Sequence, residues 1–206
     1  MRVNTVRLRI ILGLLAIALP WIVALLYGGI PASISATYYV AQCITPFMGI
    51  LISSSIILIC YKGYNLYDDI ILSLAGIMGL CICLFPTGTS LYALVGTFQL
   101  PVHISSMIHN ISAIVFFGLL SFNSIFLFTK SSGEKTKKKK IRNIIYIICG
   151  IGMIASFGIL LLPSFPCRIW YIEMFALSFF GISFLTKADV FPFLFCDTSY
   201  KTGIDD

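Results

Sequence analysis

Apolar residues run through this chain in six long blocks, and the polar residues collect between them. The blocks cover about Leu8–Tyr27, Tyr38–Tyr61, Ile70–Phe85, Met107–Phe128, Ile144–Leu162 and Ile169–Leu185. About 20 apolar residues wound as a helix cross the hydrocarbon core of a bilayer. Backbone groups in that core have no water to bond to, so a spanning segment must satisfy them within itself. The pattern therefore predicts an all-α fold, a polytopic membrane helical bundle with six transmembrane helices, as one integral domain over residues 1–206. The first block is longer than the 7–15 apolar residues of a signal peptide and contains Trp21, so it reads as a retained signal-anchor. Pro20 predicts a kink in it, and Pro46 with Gly49 predicts an interruption of the second block. Pro86 and Pro163 stop the third and fifth. Between the third and fourth lies Thr87–Ser106, a stretch without Lys, Arg, Asp or Glu. Its apolar part, Leu91–Leu100, is too short to span and is expected to be re-entrant or to lie on the surface.

Composition agrees with a lipid environment. The chain is 59% hydrophobic and 11% charged, where a soluble domain carries about 25% charged residues. The charge is also unevenly placed. The run 130–142 holds seven of the fourteen Lys and Arg residues and one acid, Glu134, so its net charge equals the +6 of the whole protein. With six spans, thirteen of the fourteen cations fall on one side and only Arg168 on the other. The positive-inside rule then sets both termini in the cytoplasm, with 130–142 a basic cytoplasmic loop and 186–206 a cytoplasmic tail. Lys135, Lys137, Lys138, Lys139, Lys140 and Arg142 orient the protein and attract anionic lipid, each contributing about 1 kcal/mol near the surface. The bilayer is thus the expected partner and nucleic acid is not. Oligomeric state is left open.

Candidate chemistry is sparse. Glu173, in the first turn of the sixth span, is the one acid placed within a predicted span, and His109 occupies the first turn of the fourth. At 1.5 Å rise per residue both lie within about 10 Å of the outer boundary. Ionisable groups within a membrane usually face a partner or a wet cavity. Ser33, Ser35, Tyr38, His103 and Arg168 fall on the same side. These residues suggest an outward-facing polar pocket with Glu173 and His109 at its floor and Ser35, Tyr38 and Arg168 around it. The competing reading has Glu173 pairing with Arg168 or His109 to fasten helices, or snorkelling to water. Asp68 and Asp69 sit across the bilayer, at the start of the third helix, where the macrodipole favours acids. Asn123 is expected to make an interhelical hydrogen bond worth about 1 kcal/mol.

No cofactor or metal site is indicated. Two histidines fall short of a three-His zinc set, no HExxH spacing occurs, and Cys81-x-Cys83 lacks the spacing of a zinc knuckle. Five of the seven cysteines lie in or at the ends of apolar blocks, where free Cys behaves as a small hydrophobe.

The order SISATYY (33–39), YKGYNLYDD (61–69), AG…LFPT (75–87), HNISAIVFF (109–117), IRNIIYIICGIGM (141–153) and WYIEMFALSFFGISFLTKAD (170–189) resembles bacterial six-helix inner-membrane proteins. The FP…H…FF pattern is loosely similar to the DUF family numbered nine-nine-eight, and the late helix with its early Glu to the FRAG/DRAM/Sfk membrane proteins. The resemblance implies a small helical bundle of the bacterial inner membrane, with no assigned reaction, and marks His109 and Glu173. Asn65 departs from it where an acid is expected after YKGY, as do Ile44, Thr45 and Pro46 where a basic–acidic pair is expected. The leading expectation is a non-catalytic membrane protein that binds a lipid or small amphiphile between helices. A small transporter or channel subunit is the alternative, and a zinc-dependent membrane hydrolase a third reading.

Overall fold

The computed structural model describes residues 5–63, 66–130 and 136–191. Six helices in it are long and apolar enough to cross a membrane. They are α1 (Thr5–Tyr27), α2 (Ala41–Cys60), α3 (Leu66–Leu84), α4 (Val102–Phe122), α5 (Lys137–Ser156) and α6 (Arg168–Lys187). A π turn, Asn123–Leu127, prolongs α4, and a 3-10 turn, Phe157–Leu161, prolongs α5. The chain is an integral, multi-pass membrane protein with an all-α bundle.

Each helix packs on its neighbours in chain order, and α6 returns to α1, closing a ring. Small residues set the closest approaches. A Cβ on Gly181 of α6 would lie 2.7 Å from the carbonyl oxygen of Gly13 in α1, and a Cβ on Gly13 would lie 2.9 Å from that of Gly181. On α3, a Cβ at Gly76 would meet the Ser55 carbonyl of α2 at 2.5 Å. Helix association in lipid relies on such close backbone contact, because lipid tails are as apolar as leucine. Inside the ring, Phe116, Phe180, Phe184, Phe128 and Tyr146 form an edge-to-face chain with successive centroids 6.3, 4.8, 5.1 and 5.4 Å apart.

Several helix ends differ from their predicted positions. α2 runs unbroken through Pro46 and Gly49, because Pro46 sits near its start, where a lost amide costs a single early bond. The segment after α3 is largely exposed, as the surface reading expects, but it is more ordered than a plain loop. It is a hairpin in which β1 (Leu94–Val95) pairs antiparallel with β2 (Leu100–Pro101). Gly96 and Gln99 turn it with positive φ, and Phe98 stacks on Phe85 at 5.4 Å.

The basic run is corrected most. Lys137, Lys138, Lys139, Lys140 and Arg142 belong to α5 rather than to a loop, while Lys135 lies outside the described residues. Lysine and arginine are good helix formers, and Thr136 caps the helix by accepting from the Lys139 amide at 3.2 Å. Cations at a helix N-terminus oppose the macrodipole. Asp189, just past α6, offsets this through Lys138 at 2.8 Å and Arg142 at 3.6 Å. Lys139 donates to the Phe128 carbonyl at 2.9 Å, and Lys187 to the same oxygen at 3.4 Å. Both cations thus close the C-terminal end of α4. Buried Arg9 of α1 donates to the Tyr61 hydroxyl at 2.6 Å and to the Lys187 carbonyl at 3.4 Å. This is the basic end of the bundle.

Asn123 departs from expectation too. It is fully buried, yet neither amide atom has a hydrogen-bond partner among the described residues. The interhelical bonds come from its neighbours. Ser121 donates to the Gly150 carbonyl and Ser124 to that of Tyr146, at 2.7 and 2.8 Å. Ser124 also meets the Ser183 hydroxyl at 2.7 Å, joining α4 to α6.

The glycine contacts give a test. Gly181→Ala is expected to destabilise the protein by about 1–3 kcal/mol, because backbone must move to admit the methyl. Gly118→Ala, where nothing lies within 4 Å of the new Cβ, is expected to be neutral or slightly stabilising. Thermal unfolding of both variants in one detergent checks the pair.

Candidate functional site

The end opposite the basic one is built from the α1–α2 loop, the hairpin and the α5–α6 turn. Pro86 shapes its centre. As residue i+4 from Ile82, Pro86 has no amide to give the Ile82 carbonyl, which is one of the orphan acceptors at the end of α3. His109, on α4, supplies the missing donor. Its Nδ1 lies 3.2 Å from the Ile82 oxygen and 2.9 Å from the Phe85 oxygen. Ser105, one turn earlier, donates to the Pro86 carbonyl at 2.8 Å. Together they dock α4 onto the end of α3.

Glu173 of α6 performs the converse service for the α1–α2 loop. Its Oε1 accepts from the Ser35 hydroxyl at 2.7 Å, the Ser33 hydroxyl at 3.2 Å and the Ser35 amide at 3.3 Å. Its Oε2 accepts from the Ile34 amide at 2.5 Å. Four donors on one carboxylate hold residues 33–35 at the start of the 3-10 turn Ser35–Tyr39, and the Trp170 amide bonding Ala32 at 3.2 Å ties the loop further. Glu173 therefore pairs with neither Arg168 nor His109; it fastens a loop to a helix.

A cavity of about 380 Å³ lies between these two clips. His109, Glu173, Ser33 and Ser35 line its polar end, and Leu51, Phe116, Phe117 and Leu177 its apolar depth. On α4, His109, Ala113, Phe116 and Phe117 follow one helical face. At 1.5 Å per residue the cavity extends roughly 10 Å along that face. Exposed members of the lining are Asn110 and Ile114 on α4, Leu160 on the 3-10 turn and Ile169 on α6. The mouth is therefore on the flank of the bundle, between α4 and the loosened end of α5.

The structure brings together three of the sequence candidates, His109, Glu173 and Ser35, and leaves two outside. Arg168 is half-buried and donates to the Leu162 carbonyl at 3.3 Å. Tyr38 packs edge-on against Tyr39 at 5.1 Å and faces a separate depression shared with the hairpin. Tyr39 donates to the Thr87 carbonyl at 2.7 Å. Burial and the neighbouring Tyr38 raise its phenol above the ordinary value, which keeps it protonated and donating. His103 is exposed. Sequence reasoning did not single out Ala113, Phe116 and Phe117 as lining. Their i+4, i+7 and i+8 spacing from His109 was the available signal. No family model, no curated protein and no solved structure matches the chain.

The Glu173 clip predicts that Ser35→Ala lowers stability by about 1.5–3 kcal/mol, the range for a hydrogen bond to a charged group. Glu173→Gln is expected to cost more, since an amide offers one acceptor oxygen and turns an NH₂ toward N–H or O–H donors. Hydrogen exchange should localise both effects, with the Ile34 and Ser35 amides losing protection before those of α2.

Proposed function

We propose that this protein binds a lipid or small amphiphile in the cavity between α4, the end of α5 and α6. The observation that carries the reading is the shape and polarity of that cavity, polar toward the end of the bundle, apolar toward its middle and open at the flank. An amphiphile in one leaflet presents the same polarity along the same direction, so it enters sideways without inverting. Ligand pockets commonly fall in the range of about 300–1,000 Å³, lined by apolar and aromatic side chains with a few placed polar groups. Among the described residues no group of three His, Cys, Asp or Glu could hold a metal ion, so the reading draws on binding groups alone.

The orientation we propose places the basic end in the cytoplasm of a bacterial cell and the cavity in the outer leaflet of the inner membrane. It rests on the thirteen-to-one distribution of Lys and Arg. Lys137 and Lys140 are exposed on the first turns of α5. They are the residues we propose to meet anionic lipid there, together with Lys135.

Two measurements test these statements. Lipid extracted from the purified protein should contain a stoichiometric amphiphile that is lost in Ala113→Phe, which fills the cavity, and retained in Gly118→Ala. Equal retention in both variants would place the amphiphile elsewhere. A reporter active only in the periplasm and inserted after Ser132 should be silent. Activity there would reverse the orientation and move the cavity to the inner leaflet.

A further inference from the structure

We infer that the cavity selects a single-chain amphiphile whose head group donates hydrogen bonds and carries no negative charge, a hydroxyl or an amine. The inference rests on the binding reading above and adds the chemistry of the ligand. It follows from which protons at the polar end are already used. Both partners of His109 Nδ1 are carbonyl oxygens, which only accept, so Nδ1 carries the proton. In the neutral ring Nε2 is then a lone pair, and it has no hydrogen-bond partner among the described residues. The hydroxyl protons of Ser33 and Ser35 both go to Glu173 Oε1. Glu173 Oε2 receives a single donor, the Ile34 amide, and a carboxylate oxygen has room for a second.

The deep polar wall is thus made of acceptors. Donors that remain, on Asn110 and Thr87, stand at the mouth and at the loop end of the cavity. No Lys or Arg lines it among the described residues, and Arg168 is turned away to Leu162. A carboxylate or phosphate head placed there would be a desolvated anion beside Glu173 with no cation to pair with. A hydroxyl or ammonium would instead satisfy Nε2, Oε2 or both. The apolar depth of roughly 10 Å below His109 suits one chain of medium length.

The test uses four probes with one common chain: decanol, decylamine, decanoate and decyl phosphate. The full protein in phosphatidylcholine nanodiscs is titrated with tritiated decanol, empty discs are subtracted, and the other three are run as competitors. We expect decanol, decylamine or both to bind at least tenfold more tightly than either anion. Preference for decanol over decylamine identifies a hydroxyl head, and the reverse an amine. An anion binding as tightly as both donors would overturn the inference, and would be the signature of a charged His109 ring. Binding by none of the four would overturn the cavity reading itself.

His109→Asn separates the role of Nε2 from the clip, because the Asn amide nitrogen stands near the place of Nδ1 and can still donate to the Ile82 and Phe85 carbonyls. It should fold, and its decanol affinity should fall about tenfold. Unchanged affinity in a folded His109→Asn protein would overturn the assignment of His109 as the acceptor.

Discussion

A backbone amide or carbonyl left unpaired in hydrocarbon costs several kcal/mol, and every helix end or proline in this chain creates such groups. The bundle depends on how they are satisfied. At the basic end the Phe128 carbonyl, at the close of α4, takes both Lys139 and Lys187. At the other end Pro86 withholds an amide from Ile82, and His109 reaches across from the next helix to replace it. The Ile34 and Ser35 amides, left over by a loop too short to form a full helix, go to Glu173. Each solution is a side chain borrowed from another helix, so satisfying the backbone also fixes the order of the ring.

That economy explains why His109 and Glu173 are both clips and both cavity walls. An imidazole has two nitrogens and a carboxylate two oxygens. The imidazole serves the backbone through Nδ1 alone and keeps Nε2 for the cavity. The carboxylate takes backbone amides on both oxygens but keeps room on Oε2 for a second donor. The clips hold α3 to α4 and the α1–α2 loop to α6. Among the described residues no such hydrogen bond ties the end of α5 to α4, where Phe157 only meets Phe117 edge-on at 5.9 Å. There α5 relaxes into a 3-10 turn with no buried residue before Pro163. The flank opens where the backbone has no clip.

Much of the bundle was legible in the sequence, because hydropathy over twenty residues reports the thickness of a bilayer directly. The helix ends were not. α4 starts at Val102 rather than Met107 and α5 at Lys137 rather than Ile144, since hydropathy marks where lipid stops and not where helical hydrogen bonds stop. Lysines continue a helix into water without any apolar signal. The site was half legible. His109 and Glu173 stand out as lone ionisable groups, but their partners are mostly main-chain atoms of Ile82, Phe85, Ile34 and Ser35, which have no signature of their own. Pro86 was the readable trace of an orphan carbonyl. Arg168 and Tyr38 share the correct end of the bundle, but depth alone does not say which way a side chain turns. Asn123 shows the same limit, because its neighbours Ser121 and Ser124 point at partners and it does not.

The size of the cavity bears on whether it is ever empty. Unfilled space in a packed interior costs about 24 cal/mol per Å³, so a dry, closed void of 380 Å³ would cost about 9 kcal/mol. That is comparable to the whole net stability of a typical protein, about 5–15 kcal/mol. A void of this size is tolerable only if something fills it. The opening is flanked by exposed, apolar Ile114 and Leu160, so in the orientation we propose bilayer chains could fill the apolar depth without any specific recognition. They cannot satisfy His109 Nε2 or Glu173 Oε2. A chain that also brings a donor relieves both the void and the unsatisfied acceptors. Filling the space would stabilise every occupant alike and so would not distinguish the amphiphile we propose from an ordinary lipid tail. The advantage of a donor-bearing chain over an ordinary lipid tail is therefore set by one or two hydrogen bonds in a low-dielectric pocket.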